Sequence, residues 1–193
     1  PKEALFWLRK SADWGHAESL YVLAGKYASG QGVDRDEREA ARRYRQAAEK
    51  GHAAAQFELG NFYASGRGVS RDDKQAVQWY QRAADQGQAG AQFSLGAMYA
   101  AGRGVTASDR DAVQWYRKAA EQGHAEAQYN LAVRLLSGRG LPASAEEAFR
   151  WFHKAADQGL ALAQLSLGRL YADGQGVARN DAEAVKWHRL AAD

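Results

Sequence analysis

Residues 88–123 read QAGAQFSLGAMYAAGRGVTASDRDAVQWYRKAAEQG, and this stretch decides the fold because versions of it recur along the whole chain. When the sequence is shifted against itself by 36 residues, a glycine series and a tryptophan series superpose without a gap. A fixed period of this length is typical of helical repeat proteins, in which each repeat stacks on its neighbours. The two series are Gly15, Gly51, Gly87, Gly123 and Gly159, and Trp7, Trp79, Trp115, Trp151 and Trp187.

Each repeat predicts two helices joined by a glycine loop. The first helix, residues 89–101 in this stretch, should end at Gly102, because glycine is favoured just beyond a helix C-terminus. The second helix follows an oxygen-bearing capping residue and ends at Gly123. The capping pairs are Asp36/Glu39, Asp72/Gln75, Ser108/Asp111, Ser144/Glu147 and Asn180/Glu183. Glycines that recur inside the first helix indicate that another helix crosses there at close range. They are Gly60, Gly96 and Gly168.

The predicted fold is all-α, a right-handed α/α superhelical solenoid of 36-residue helix-turn-helix repeats. We expect one domain over residues 1–193, in which residues 1–15 form the second helix of a truncated repeat. The further repeats are predicted at about 16–51, 52–87, 88–123, 124–159 and 160–193. Because the first repeat lacks its first helix, the sequence is interpreted as a piece of a longer protein. A signal peptide, further repeats or a second domain could lie outside it.

Composition narrows the classes of function. The chain has 26 basic and 23 acidic residues and a formal net charge of +3, a mixture more typical of a solvated surface than of a nucleic-acid-binding one. Cysteine is absent, which excludes disulfides and thiolate metal sites. No run approaches the roughly 18 apolar residues that a membrane-spanning helix needs. We therefore expect no nucleic-acid partner, no membrane span and no cofactor.

In these features the sequence resembles the Sel1-like repeat family, a relative of the tetratricopeptide repeats with a slightly longer unit. The family pattern reads roughly A-x-A-Q-x-x-L-G-x-x-Y-x-x-G-x-G-V and then D-x-x-x-A-x-x-W-x-x-K-A-A-x-Q-G. Residues 88–123 match it nearly throughout, and departures elsewhere are few, such as Arg43 in place of the tryptophan. The matching residues include Ala89, Ala91, Gln92, Leu95, Gly96, Tyr99, Gly102, Gly104, Val105, Ala112, Trp115, Lys118, Ala119, Ala120 and Gly123.

The resemblance implies adaptor and scaffold work, since family members occur among bacterial exported, secretion-related and signalling proteins and in eukaryotic quality-control complexes. It favours a bacterial periplasmic or exported location, with a signal peptide outside this chain, while a cytoplasmic location stays open. A cysteine-rich branch of the family is associated with penicillin binding or β-lactamase activity. Without cysteine, the resemblance to that branch is weak.

No arrangement of residues predicts catalysis. Three histidines share one repeat position at the start of a first helix, but neighbouring helices lie roughly 8 to 10 Å apart, too far for two ligands that must each approach a zinc ion to about 2 Å. A capping role is the favoured interpretation. Three serines look like helix-end residues, because none lies in a nucleophile motif. Three loop arginines favour a solvated edge over a phosphate-binding one. These residues are His16, His52 and His124, then Ser29, Ser65 and Ser137, then Arg67, Arg103 and Arg139.

Partner specificity is expected at positions that vary between repeats. On the first helices these positions share one face, which should line a concave groove in a solenoid of this type. Phe62 and Met98 would be exposed apolar anchors of a peptide or protein segment with some acidic character; the alternative is that they pack between neighbouring helices. The candidate partner-binding residues are Lys26, Glu58, Asn61, Phe62, Ser94, Met98, Asn130, Arg134, Arg169 and Leu170.

The leading interpretation is therefore a non-catalytic protein-interaction scaffold without a metal site. The first alternative is β-lactamase-like or penicillin-binding activity, and the second is an RNA-binding helical repeat, which Glu58 on the groove disfavours. Trp79, Trp115, Trp151 and Trp187 are expected in the core, whereas Trp14 could be exposed or cover the truncated end. End-to-end self-association through the truncated terminal repeats is also open.

Overall fold

A computed structural model describes residues 2–192, which contain eleven α-helices and no strand. The helices alternate between the first and second helix of a repeat, beginning with a second helix. Their bounds are α1 Lys2–Asp13, α2 Ala17–Ser29, α3 Glu37–Glu49, α4 Ala53–Ser65, α5 Asp73–Asp85, α6 Ala89–Ala101, α7 Asp109–Glu121, α8 Ala125–Ser137, α9 Ala145–Asp157, α10 Ala161–Asp173 and α11 Asp181–Leu190. The all-α repeat fold class predicted from the sequence is confirmed.

The predicted ends of the first helices and starts of the second helices are also confirmed, while α7 ends at Glu121, two residues before the predicted Gly123. The glycine after each first helix has a left-handed backbone, as Gly30 (φ 77°) and Gly66 (φ 75°) illustrate. At the start of α3, the Asp36 carboxylate accepts hydrogen bonds from the backbone amides of Arg38 and Glu39. Such a cap satisfies amides that have no partner inside the helix. The equivalent caps are Asp72, Ser108, Ser144 and Asn180.

The amide of each capping residue ties the second helix to the first helix of the same repeat. Asp36 donates its N–H to the carbonyl of Tyr27 at 2.9 Å, and Asp72 donates to the carbonyl of Tyr63 at 3.0 Å. The three later caps repeat this bond on Tyr99, Leu135 and Tyr171. The bond fixes the loop geometry at both ends, so each pair of helices is held as one hairpin.

The glycines inside the first helices lie where an aromatic ring of the second helix crosses. A methyl group added at Gly60 would lie 2.6 Å from the Tyr80 ring, and one added at Gly96 would lie 2.8 Å from the Tyr116 ring. At Gly168 the ring is that of His188, also at 2.8 Å. The close crossing predicted from these glycines is confirmed, and its cause is a side chain of the partner helix within the same repeat.

The chain divides into two compact bodies, each with its own apolar core. The first body contains Pro1–Ala91 and Arg103–Thr106, and the second contains Gln92–Gly102 and Ala107–Asp193. The core of the first includes Leu23, Tyr44 and Phe62, and that of the second includes Leu131, Phe152 and Leu167. The organisation of the repeats as one domain stays a prediction.

A buried glutamine joins consecutive helices within each body. The Gln56 side chain donates to the Ala48 carbonyl of α3 at 3.1 Å and accepts from the Gln86 side chain after α5 at 2.7 Å. Gln128 makes the same two bonds to Ala120 and Gln158. Because a buried amide group is costly unless its hydrogen bonds are made, this residue links three helices in one register.

Four tryptophans of the series lie at the border of the core, while Trp7 is 57% exposed. Trp79 and Trp187 are buried, while Trp115 and Trp151 are half-buried, with the ammonium groups of Lys118 and Lys154 above their rings. Trp14 is 73% exposed, as its position outside the row had suggested.

Candidate partner-binding surface

The predicted apolar anchors are not exposed, which corrects the interpretation of the sequence. Phe62 is 1% exposed and Met98 is 4% exposed. The Phe62 ring packs edge-on against Tyr44, with centroids 5.3 Å apart, and the guanidinium of Arg67 lies 4.7 Å above it. Leu170 occupies the same repeat position and is also buried. In these three repeats the position therefore belongs to the core, as the alternative interpretation had it. The polar residues at the same position in other repeats, Lys26 and Arg134, are half-buried.

The polar members of the predicted set remain at the surface. Six are half-buried and one is exposed. They are Lys26, Glu58, Asn61, Ser94, Asn130 and Arg134, and then Arg169. They lie on α2 and α4 in the first body and on α6, α8 and α10 in the second.

Several of these side chains are held by neighbours in the chain. The Tyr80 hydroxyl donates to Asn61 Oδ1 at 2.8 Å, and Asn61 Nδ2 donates to Glu58 at 3.4 Å. Arg134 forms an ion pair with Asp109. These bonds fix the orientation of the Glu58, Asn61 and Arg134 side chains.

A pocket of about 370 Å³ opens between α8 and α10 in the second body. Two predicted residues, Arg169 and Leu170, line it, but most of its wall was not predicted from the sequence. The remaining lining residues are Val133, Leu136, Ser137, Phe152, Ser166, Asp173 and Gln175. The signal that could have indicated it is a group of departures from the repeat pattern at positions 136, 152 and 175.

The loop arginines are paired with acids rather than forming a free basic edge. Arg67 bonds Glu37 at 3.3 Å, and Arg103 bonds Asp73 at 2.7 Å. In the second body Arg139 bonds Asp109 at 3.2 Å. Each acid is the first residue of the second helix one repeat earlier, 30 residues back along the chain. The pairs clamp adjacent repeats together and neutralise the charges that a phosphate would need.

The clamp at Asp73 predicts a pH dependence of stability. The hydrogen bond from Arg103 and a second from Arg71 lower the pKa of Asp73 from 3.8 to about 2. A carboxyl whose pKa is lower in the folded state stabilises the fold above pH 3.8, and this contribution disappears as the pH falls through about 2. Since the pair is near the surface, we expect it to contribute at most about 1 kcal/mol. Urea unfolding from pH 6 to pH 2 measures it. The stability difference between wild type and Asp73→Asn should shrink over this range; a constant difference would contradict the assignment.

The histidine and serine rows have the structural roles that the sequence suggested. His52 Nδ1 accepts the amide of Ala55 at 3.1 Å, and its ring stacks on Tyr21 at 4.7 Å. His124 caps α8 in the same way through Ala127, although His16 makes no such bond. The serine hydroxyls donate hydrogen bonds to the carbonyl four residues earlier, as Ser65 does to Asn61.

Within residues 2–192, no three histidine, aspartate or glutamate side chains lie close enough together to act as metal ligands. No helix in this range combines the length and apolar character needed to cross a bilayer.

Comparisons with known proteins agree with the repeat pattern. The Sel1 repeat family model matches residues 1–16, 17–52, 53–88, 89–124, 125–160 and 161–193. Among solved structures, a protective antigen of uropathogenic Escherichia coli strains that displays an SLR fold is 35% identical, with a TM-score of 0.95. The match covers 98% of this chain and 40% of the antigen, so the chain spans less than half of that protein.

Two further structures are similar over much of the chain. A Sel1 repeat protein from Oxalobacter formigenes is 31% identical with a TM-score of 0.92, over 98% of this chain and 78% of that protein. Cysteine-rich protein B of Helicobacter pylori is 23% identical with a TM-score of 0.52, over 65% of this chain and 90% of that protein, and it indicates the fold alone. Among curated proteins, no sequence matches this chain.

Proposed function

Because the chain belongs to the Sel1 repeat family, we propose that it is a non-catalytic scaffold that binds a segment of a partner protein along its first helices. The observation that carries the proposal is that the residue positions on those helices fall into two groups. One set of positions is buried and recurs in type, as at Leu23, Leu59 and Leu95, while other positions vary between repeats, are polar in most of them and reach the surface. Variation on a fixed scaffold is how repeat proteins distinguish their partners.

The proposed surface keeps all the candidate residues but assigns them two roles. Phe62 in the first body, and Met98 and Leu170 in the second, support the surface of their own body from beneath, because they are buried. The polar residues around them provide hydrogen bonds and charge at the surface. This arrangement suits an extended peptide, whose backbone needs polar partners along its length.

Neither alternative function gains support from a specific observation. The cysteine-rich protein of Helicobacter pylori shares only the fold, and this sequence contains no cysteine. For RNA, the acidic Glu58 lies on the proposed surface, and the loop arginines are paired with carboxylates.

The proposal is tested by affinity capture from native lysate and culture medium with two matched charge variants. The first-helix variant carries Lys26→Glu, Asn130→Arg and Arg169→Glu. The control carries Lys74→Glu, Gln114→Arg and Arg150→Glu at exposed sites of α5, α7 and α9, and it makes the same charge changes. We expect the first-helix variant to retain at least tenfold less of a specific protein while the control retains it as wild type does. Equal retention by both variants, or a loss confined to the control, would move the binding surface away from the first helices.

A further inference from the structure

We propose that the pocket between α8 and α10 anchors the partner segment, and that its occupant is a leucine, methionine or phenylalanine side chain next to a carboxylate in the partner. This inference rests on the proposed function and names the chemistry of its anchor. The pocket lies on the first-helix face, and four apolar side chains line it, namely Val133, Leu136, Phe152 and Leu170.

The first reason that the pocket is apolar is the absence of a polar pair that the repeat of α4 and α5 has. In the repeat of α4 and α5, the Tyr80 hydroxyl donates to Asn61. The equivalent residues of α9 and α8 are Phe152 and Val133, which have no polar atoms to pair. Val133 is 40% exposed, so an apolar surface faces solvent where the earlier repeat has a hydrogen bond.

The second reason is the absence of the arginine that covers the equivalent position in the repeat of α4. Arg67 lies over the Phe62 ring while it bonds Glu37 at the start of α3. The counterparts of Arg67, Phe62 and Glu37 in the last repeats are Gln175, Leu170 and Ala145. Both members of the clamp are therefore replaced at this junction. Leu170 has no guanidinium above it, and the space stays open.

The third reason is an enlarged wall. Leu136 occupies a position that the other repeats fill with alanine, namely Ala28, Ala64, Ala100 and Ala172. A leucine there adds apolar surface to the rim. The volume of about 370 Å³ lies at the lower end of the range for sites that bind small molecules. It suits one large side chain with a little of its backbone better than a whole cofactor.

The positive charge at the rim of the pocket favours a partner segment with a carboxylate next to the apolar side chain. Arg169 is exposed and, within residues 2–192, has neither an ion pair nor a side-chain hydrogen bond. Asp173 also lines the pocket; it has no ion pair within residues 2–192, and its charge helps to raise the pKa of Arg179, after the larger effect of Asp181. Arg134 pairs with Asp109. Arg169 is thus the basic group at the rim that can pair with a partner carboxylate.

The chemistry of the pocket is tested with two small probes, N-acetyl-L-leucine and its uncharged amide, N-acetyl-L-leucinamide. Binding is followed by NMR of the valine and leucine methyl groups, with Val133, Leu136 and Leu170 as reporters. We expect saturable shifts at these methyls and an affinity for the acid about fivefold higher than for the amide, the size of one exposed ion pair. In Arg169→Gln, the acid should lose this preference while the amide binds as before.

A second variant closes the pocket with side chains that occur at the equivalent positions of an earlier repeat. The double substitution Ala145→Glu with Gln175→Arg gives this junction the pair that Glu37 and Arg67 form in the first body. We expect it to reduce the affinity for both probes at least tenfold. The inference is overturned if wild type shows no saturable shift at the three methyls, if the amide binds as tightly as the acid, or if the double variant binds both probes unchanged.

Capture with the double variant separates this inference from the proposed function. If it retains the captured protein as wild type does, while the first-helix variant loses it, the first-helix surface stands and the anchor is wrong. If the double variant and the first-helix variant both lose the protein, the anchor is supported. If the first-helix variant loses nothing, the proposed function fails, and the partner segment has no anchor in this pocket.

Discussion

The substitution Gly68→Ala should lower the free energy of unfolding by roughly 3 kcal/mol or more, whereas Gly32→Ala should lower it by only about 1 to 2 kcal/mol. Both glycines have a left-handed backbone, with φ of 63° and 79°, so both variants meet the same backbone penalty. They differ in what a new methyl group would touch. At Gly68 it would lie 2.0 Å from the carbonyl oxygen of Glu37, while at Gly32 nothing lies within 4 Å.

Urea unfolding followed by far-UV circular dichroism measures both variants. Because repeat proteins can unfold in parts, the curves are fitted with a nearest-neighbour model rather than with a two-state one. The loss in Gly68→Ala should fall on the term for the junction between adjacent repeats. Equal losses in the two variants would show that the loop does not press against the preceding repeat.

The second large effect distinguishes a core residue from a surface one of the same type. Phe62→Ala should destabilise the protein by about 3 to 5 kcal/mol, since the ring is buried against Tyr44. Phe6→Ala, at a side chain that is 52% exposed, should change stability by about 0.5 kcal/mol or less. The matched substitutions remove the same atoms, so thermal melts compare the two environments directly. A small loss of stability in both variants would indicate that Phe62 is exposed and could act as an anchor for the partner.

The fold was predictable because its determinants recur at one period. The caps, the loop glycines and the glycines under Tyr80 and Tyr116 each repeat, and a repeated residue type indicates a repeated environment. Periodicity failed at Phe62. The sequence of α4, AAAQFELGNFYAS, is apolar on most of its circumference, so the pattern does not show which side faces the core.

The pairing of the loop arginines required three-dimensional structure, because partners 30 residues apart leave no local pattern. The pocket presents the opposite case. Its residues differ from the repeat at Leu136, Phe152 and Gln175, and each departure is visible in the sequence. The sequence alone does not show that α8, α9 and α10 bring these three residues together around one pocket.

The clamp between loop and preceding repeat has a consequence for how such a protein can change its length. Arg67 and its partner Glu37 are 30 residues apart, which is less than one repeat period. An in-frame duplication of a 36-residue block therefore supplies both halves of a new junction together with its own caps and glycines. Deletion of a block rejoins the same two halves across the cut. Growth and shortening by whole blocks that carry the clamp leave those junctions chemically complete, so recombination within the gene can alter the extent of the surface without any compensating substitution.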